Sequence, residues 1–270
     1  MAFDADFPDI VLADSVTKLP AAAAGRVVVS GSHGGHYPGA LAALAEVRAV
    51  ILNDAGIGKD EAGVAALADL DRLGVAAATV SYLSCRIGFA SDMMARGVVS
   101  RANALARAAG VAIGDGCRVS ALRLRAAPIS HAEPEPFEEV RSEFDLGRRK
   151  VVLIDSASLV EPADRGAIVI TGSHGGLVGG DPGAALRVDA FVAAFNDAGV
   201  GVDEAGVARL APLDARGIAA FTVSTGTARI GEARSTYADG VVSRVNLTAR
   251  RLGAREGDLA ASTVERLAQR

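Results

Sequence analysis

Two periods of apolar and polar positions succeed one another along this chain, and the changes between them mark out its elements. Residues 27–30, 50–52 and 76–80 are short, mostly β-branched apolar runs without a charge, each bounded by turn residues. A run that is apolar on consecutive positions belongs to a strand covered on both faces, as in a parallel sheet layered with helices. From Glu61 the apolar residues recur instead at helical spacing until Gly74, with Asp60 placed as an N-cap and Gly74 as a stop. Residues 98–109 read as a further helix that ends at Gly110, with Ser100 and Asn103 at its start. Strand and helix in alternation call for parallel strands joined by right-handed crossovers.

The same pattern returns in the second half, almost residue for residue. Val-Val-Val-Ser-Gly-Ser-His-Gly-Gly at 27–35 answers Ile-Val-Ile-Thr-Gly-Ser-His-Gly-Gly at 168–176, and Asn-Asp-Ala-Gly at 53–56 answers 196–199. Cys-Arg-Ile-Gly at 85–88 answers Ala-Arg-Ile-Gly at 228–231. Register is lost only once, by two residues, near Leu-Val-Gly-Gly-Asp-Pro-Gly. A repeat of this length is a domain-sized unit rather than a solenoid repeat. The expected fold class is therefore α/β: a tandem duplication of a Rossmann-like parallel-sheet unit with helices on both faces, the copies related by a pseudo-twofold axis. Residues 1–125 form the first repeat, 126–150 a connector and 151–270 the second repeat. Three prolines and mixed charge mark the connector, with one short helix expected near 137–144.

Composition narrows the function. A chain of 270 residues with 50% hydrophobic and 22% charged content supports a large core. A net charge of -4 and 4% aromatic residues leave neither the cations nor the stacking rings that nucleic acid requires. The acidic start and the lack of a long uncharged apolar stretch argue against a signal peptide and a membrane span, so a cytoplasmic protein is expected. Two cysteines imply reduced thiols.

Open parallel sheets bind ligands beyond the carboxyl ends of their strands. That rule gathers the repeated polar residues at one edge of each half. His33 and His174 are candidate acid/base groups, with Asp54 and Asp197 to orient them and Cys85 as a nucleophile confined to the first half. Ser32, Ser173, Asn53, Asn196, Ser81, Ser224, Ser84 and Thr227 are candidate substrate contacts. Arg86 and Arg229 suit bidentate capture of a carboxylate or phosphate. Each has a structural alternative: a histidine bonded to local backbone, an Asx turn at Asn53 and Asp54, an arginine in an ion pair, an inert buried thiol. Asp60, Glu61, Asp203 and Glu204 are assigned to helix capping. The glycine-rich turn lacks the spacing of a phosphate loop or a dinucleotide fingerprint, so no cofactor is expected. Too few convergent ligands are present for a metal.

These features suggest an enzyme of small-molecule metabolism, of hydrolase, isomerase or lyase type, acting on a small polar or anionic metabolite such as a carboxylate or amide. The two halves either share a cleft or hold unequal sites. The other reading is a non-catalytic ligand-binding or scaffold protein using the same strand-end residues. Homo-oligomer formation is left open.

Overall fold

The computed structural model describes residues 2, 3, 7–137 and 139–270. In chain order the first half contains β1 (Ala2–Phe3), β2 (Ile10–Ala13), β3 (Val27–His33), α1 (His36–Leu44), β4 (Ala49–Asn53), α2 (Ala66–Arg72), β5 (Ala76–Val80), α3 (Ala90–Arg96), β6 (Val99–Ala102), α4 (Ala104–Ala108) and α5 (Cys117–Leu124). The second contains β7 (Arg141–Leu146), β8 (Arg149–Ile154), β9 (Ile168–His174), β10 (Val192–Asn196), α6 (Leu210–Ala215), β11 (Ala219–Val223), α7 (Ala233–Ala238), β12 (Val242–Val245), α8 (Leu247–Arg251) and α9 (Ala260–Ala268).

The strands form two mixed sheets, ordered β1-β2-β3-β4-β5-β6 and β12-β11-β10-β9-β8-β7. Strands β2 to β5 run parallel, as do β8 to β11. The outer strands β1, β6, β7 and β12 are antiparallel, which corrects the expectation of purely parallel sheets. Along β3, Val28 joins α1 and α2 residues such as Ala42 and Leu70 in one apolar layer, while Val27 and Val29 join Met93 and Leu124 in the other. Both faces are therefore covered, which is why the strand carries no polar alternation. Each such sealed aliphatic side chain contributes roughly 1.5–3 kcal/mol.

Three local expectations are revised. Of the helix expected near 137–144, residue 138 lies outside the described residues, 137, 139 and 140 are irregular, and 141–144 instead begin strand β7, whose Arg-Ser-Glu-Phe-Asp-Leu pattern has period two and turns back into β8 at Gly147, φ +60°. Of residues 98–109, the first part forms β6 because it completes the sheet edge, and the helix starts only where the Asn103 side chain accepts from Ala106 N. Helix α1 has no counterpart in the second half, where Pro182 and three glycines leave only 3-10 turns, Val178–Gly180 and Pro182–Ala184.

The carboxyl ends of the two sheets face one another. Lys59 N donates to Thr225 O at 2.8 Å, and Val202 N donates to Tyr82 O at 3.0 Å, a reciprocal pair at corresponding positions. Ala55, Ala62 and Ile87 meet Ala198, Ala205 and Ile230 in a small shared apolar cluster. The loops that make this contact are wound left-handed: Ala55, Ile57, Asp60 and Glu61 have positive φ, as do Ala198, Val200, Asp203 and Glu204. Ile57 (φ 62°) and Val200 (φ 65°) are β-branched, so the conformation is strained and held by the junction. Asp60 is consequently no N-cap, since α2 begins only at Ala66. Among the described residues no helix is long and apolar enough to cross a membrane.

Candidate functional site

Strands β3 and β9 end in His33 and His174, which are 9% and 7% exposed. The approach to His33 requires glycine. A Cβ at Gly31 would stand 2.6 Å from Asp14 O and from the Gly88 carbonyl carbon. After each histidine the chain turns so that a backbone amide meets the ring: Gly35 N donates to His33 Nδ1 at 3.1 Å, and Gly176 N to His174 Nδ1 at 3.1 Å. A ring nitrogen that accepts carries no proton, so each neutral imidazole is protonated on Nε2. Burial lowers the His33 pKa to about 4. Burial, then the Arg209 cation, then His33 lower His174 well below its usual value. At neutral pH both rings are uncharged, each keeping one N–H donor for a ligand.

Both histidines line a cavity of about 420 Å³ between the halves. The first half contributes Ser32, His33, His36, Tyr37 and Asp60; the second contributes Ser173, His174, Arg209 and residues 229–232; Glu139 enters from the connector. The Arg-Ile-Gly turn of each half packs on the histidine of the other. A Cβ at Gly231 would lie 3.4 Å from His33 Cε1, and one at Gly88 would lie 3.5 Å from His174 Cε1. Imidazole and turn thus meet between halves, not within one half as the strand-end rule alone implies, because the two sheet edges are opposed.

The two Arg-Ile-Gly turns differ in access to this cavity. Residues 229–232 open into the cavity, whereas Arg86, Ile87 and Gly88 are not among its lining residues. The longer loop of the second half covers that side: Gly179 N donates to Gly88 O at 2.8 Å and Gly180 lies against the Phe89 ring.

Of the residues singled out in the sequence, His33, His174, Ser32, Ser173 and Arg229 are brought together. Ser32 Oγ accepts from Val16 N at 3.1 Å and Ser173 Oγ from Ala157 N at 2.9 Å, which leaves each hydroxyl proton free to donate. Arg229 is held by Asp60 at 2.8 Å and Glu232 at 2.8 Å, and its pKa is raised chiefly by the bond to Asp60. The others lie off the cavity and organise turns. Asp54 Oδ1 accepts from Gly56 N and Tyr82 N, and Asp197 Oδ1 from Gly199 N and Thr225 N, so neither carboxylate orients a histidine. Asn53 and Asn196 accept from Ala55 N and Ala198 N. Ser81 and Ser224 accept from Leu83 N and Gly226 N. Ser84 and Thr227 bridge Ser81 O to Val98 N and Ser224 O to Val241 N. Arg86 pairs with Asp92 at 2.9 Å.

Cys85, expected as a nucleophile, does not line the cavity. It is fully buried in the core cluster of the first half, and burial pushes its pKa up to about 12. A thiol kept protonated in the core lacks the exposed thiolate that nucleophilic attack requires.

Sequence reasoning missed Arg209, Asp60, and the Glu139 and Tyr37 pair. Burial raises Glu139 above the usual carboxylate range while hydrogen bonds from Tyr37 and Ser156 oppose this. For Arg209 a signal existed: at the 143-residue offset that aligns Asn53 with Asn196 it stands opposite Ala66, an arginine where the first half has a small apolar residue. Among the described residues no group of three His, Cys, Asp or Glu side chains is placed to hold a metal ion. In comparisons with known proteins, no family model, no curated protein and no solved structure matches the chain.

Proposed function

We propose that this cavity is the active site of an enzyme of small-molecule metabolism, acting on a small polar or anionic metabolite by hydrolysis, isomerisation or lysis. The observation that carries the reading is the convergence of His33 and His174 in one cavity, each with Nδ1 tied to a backbone amide and Nε2–H left for a ligand. Two fixed neutral donors on nearly buried rings suit a carbonyl or carboxylate oxygen on which negative charge develops, since they need no reorganisation when it does. The histidines then act as polarising donors, in place of the general bases expected from sequence. We further propose that the chain is a tandem duplication of one α/β unit, its halves related by a pseudo-twofold axis, with the two histidines serving one shared cavity.

The second reading is ligand binding without chemistry. It is favoured by the bonding of the two serines and two histidines, which form no Ser–His pair among the described residues. A turnover screen on small amides, lactams and carboxylates separates the two readings. Loss of a transition-state donor costs about 10²–10³-fold in rate, so His33→Ala and His174→Ala are each expected to lower turnover of the active substrate by roughly 100-fold. Turnover unchanged in both variants would remove the histidines from the chemistry.

A further inference from the structure

We propose that Arg209 is the anion-binding group of this cavity and that its ligand is the carboxylate of a small metabolite. The proposal rests on reading the cavity as the functional site and names what that site holds.

Arg209 is 5% exposed and lines the cavity with Ser173 and His174. Its Nε donates to Gly176 O at 2.9 Å and its Nη1 to Ala185 O at 2.7 Å, and the guanidinium carbon lies 5.0 Å from the Phe195 ring centre. Among the described residues no carboxylate pairs with it. Burial lowers its pKa to about 10, which still leaves it charged at neutral pH. A desolvated cation held only by carbonyl dipoles and a ring face is costly, and the cost falls when an anion arrives.

The position is built for this group. Arg209 N donates to Gly175 O at 2.8 Å, and in the first half Ala66 N donates to Gly34 O at 2.9 Å, so the backbones correspond. In the first half the methyl of Ala66 is packed against Gly39 of α1. The second half has no such helix, and the carbonyls of Gly176 and Ala185 in the replacing loop fix the guanidinium in that space. Two of five N–H donors are committed, and the rest suit bidentate capture of a carboxylate. Of the other cations lining the cavity, the part-exposed Arg229 is already paired with Asp60 and Glu232, and Lys18 and Arg187 are exposed to solvent. Arg209 is thus the buried cation of the cavity that has no carboxylate partner among the described residues, and a carboxylate supplies the charge that balances it. The Nε2–H of His174 and the Ser173 hydroxyl supply neutral donors in the same cavity.

The test is thermal unfolding of the full chain with millimolar pyruvate, malonate and propionate, each beside its neutral amide, and with inorganic phosphate. At least one carboxylate is expected to raise Tm while its amide and phosphate do not. Arg209→Met, which keeps the apolar stem, is expected to weaken that carboxylate by roughly 10- to 100-fold, the worth of a charge-assisted hydrogen bond. An equal response to the amide, a response to phosphate alone, no response to any carboxylate, or an undiminished response in Arg209→Met would each overturn the proposal. Should Arg209→Met not fold, the carboxylate and amide comparison in the unaltered protein still decides. Binding rather than turnover is read. A chain that binds carboxylate through Arg209 and transforms nothing therefore supports this subsite and contradicts the catalytic reading alone.

Discussion

At the scale of single residues, the account turns on the protonation of two buried imidazoles. A histidine acting as general base with an ordinary pKa near 6.5 gives a titration limb in the physiological range. His33, its pKa lowered by burial to about 4, is already neutral well below that range, and so is His174. Ligand affinity and turnover are therefore expected to be flat from about pH 6 to 8 as far as these groups are concerned. A limb near pH 6.5 that disappears in His33→Gln would contradict the neutral-donor role. The position of both histidines after an apolar run was legible in the sequence, because the same short motif stands twice at the end of a strand. Their charge state was not, since it depends on burial between halves and on the amides of Gly35 and Gly176, which no local pattern reveals.

At the scale of elements, the left-handed loops at the junction matter most. Gly58 has φ +73°, and a Cβ there would lie 2.5 Å from Thr225 Oγ1 and 2.8 Å from Thr225 O. Gly58→Ala combines a strained backbone with a clash against the opposite half. It is expected to lower unfolding stability by about 2 kcal/mol or more, read as a reduced urea midpoint. Because the same loop carries Asp60 to Arg229, the substitution is also expected to disturb the cavity. An unchanged midpoint would mean that the halves do not meet as described. Strands β3, β4 and β5 were readable from their unbroken apolar runs, and so were their second-half partners. Strand β7 and the first residues of β6 were misread as helix, because their place is decided by an open sheet edge rather than by local preference. Asp60 was misread as a cap because positive φ at Asp, Glu, Ile and Val leaves no compositional mark.

At the scale of the whole molecule, the opposed sheet edges explain the site and predict an acid response. A base whose pKa is lower in the folded chain binds protons preferentially when unfolded. Stability is therefore full above pH 6.5 and falls as pH drops from 6.5 toward 4. For His33 alone the shift corresponds to about 3 kcal/mol, and His174 adds to it in the same direction. Urea unfolding across this window is expected to show the fall, with a shallower slope in His33→Gln. A slope unaffected by that substitution would show that the buried ring is not the source. The repeated motifs pointed to an α/β fold, seen as two mixed sheets with helices, whereas the pairing of each histidine with the turn of the opposite half was not legible. That pairing depends on how two distant sheets face one another, and repetition alone is compatible with two independent sites.

The most direct test of a single shared site is a nitrogen-15 NMR titration of the chain's histidines, of which there are only four. His33 and His174 are expected to appear as neutral Nε2–H tautomers throughout pH 5.5–8, and saturation with a carboxylate that raises Tm is expected to shift both Nε2–H signals together. Protonation of either ring with a midpoint between 6 and 7, or a ligand response confined to one of them, would contradict the shared neutral-donor site.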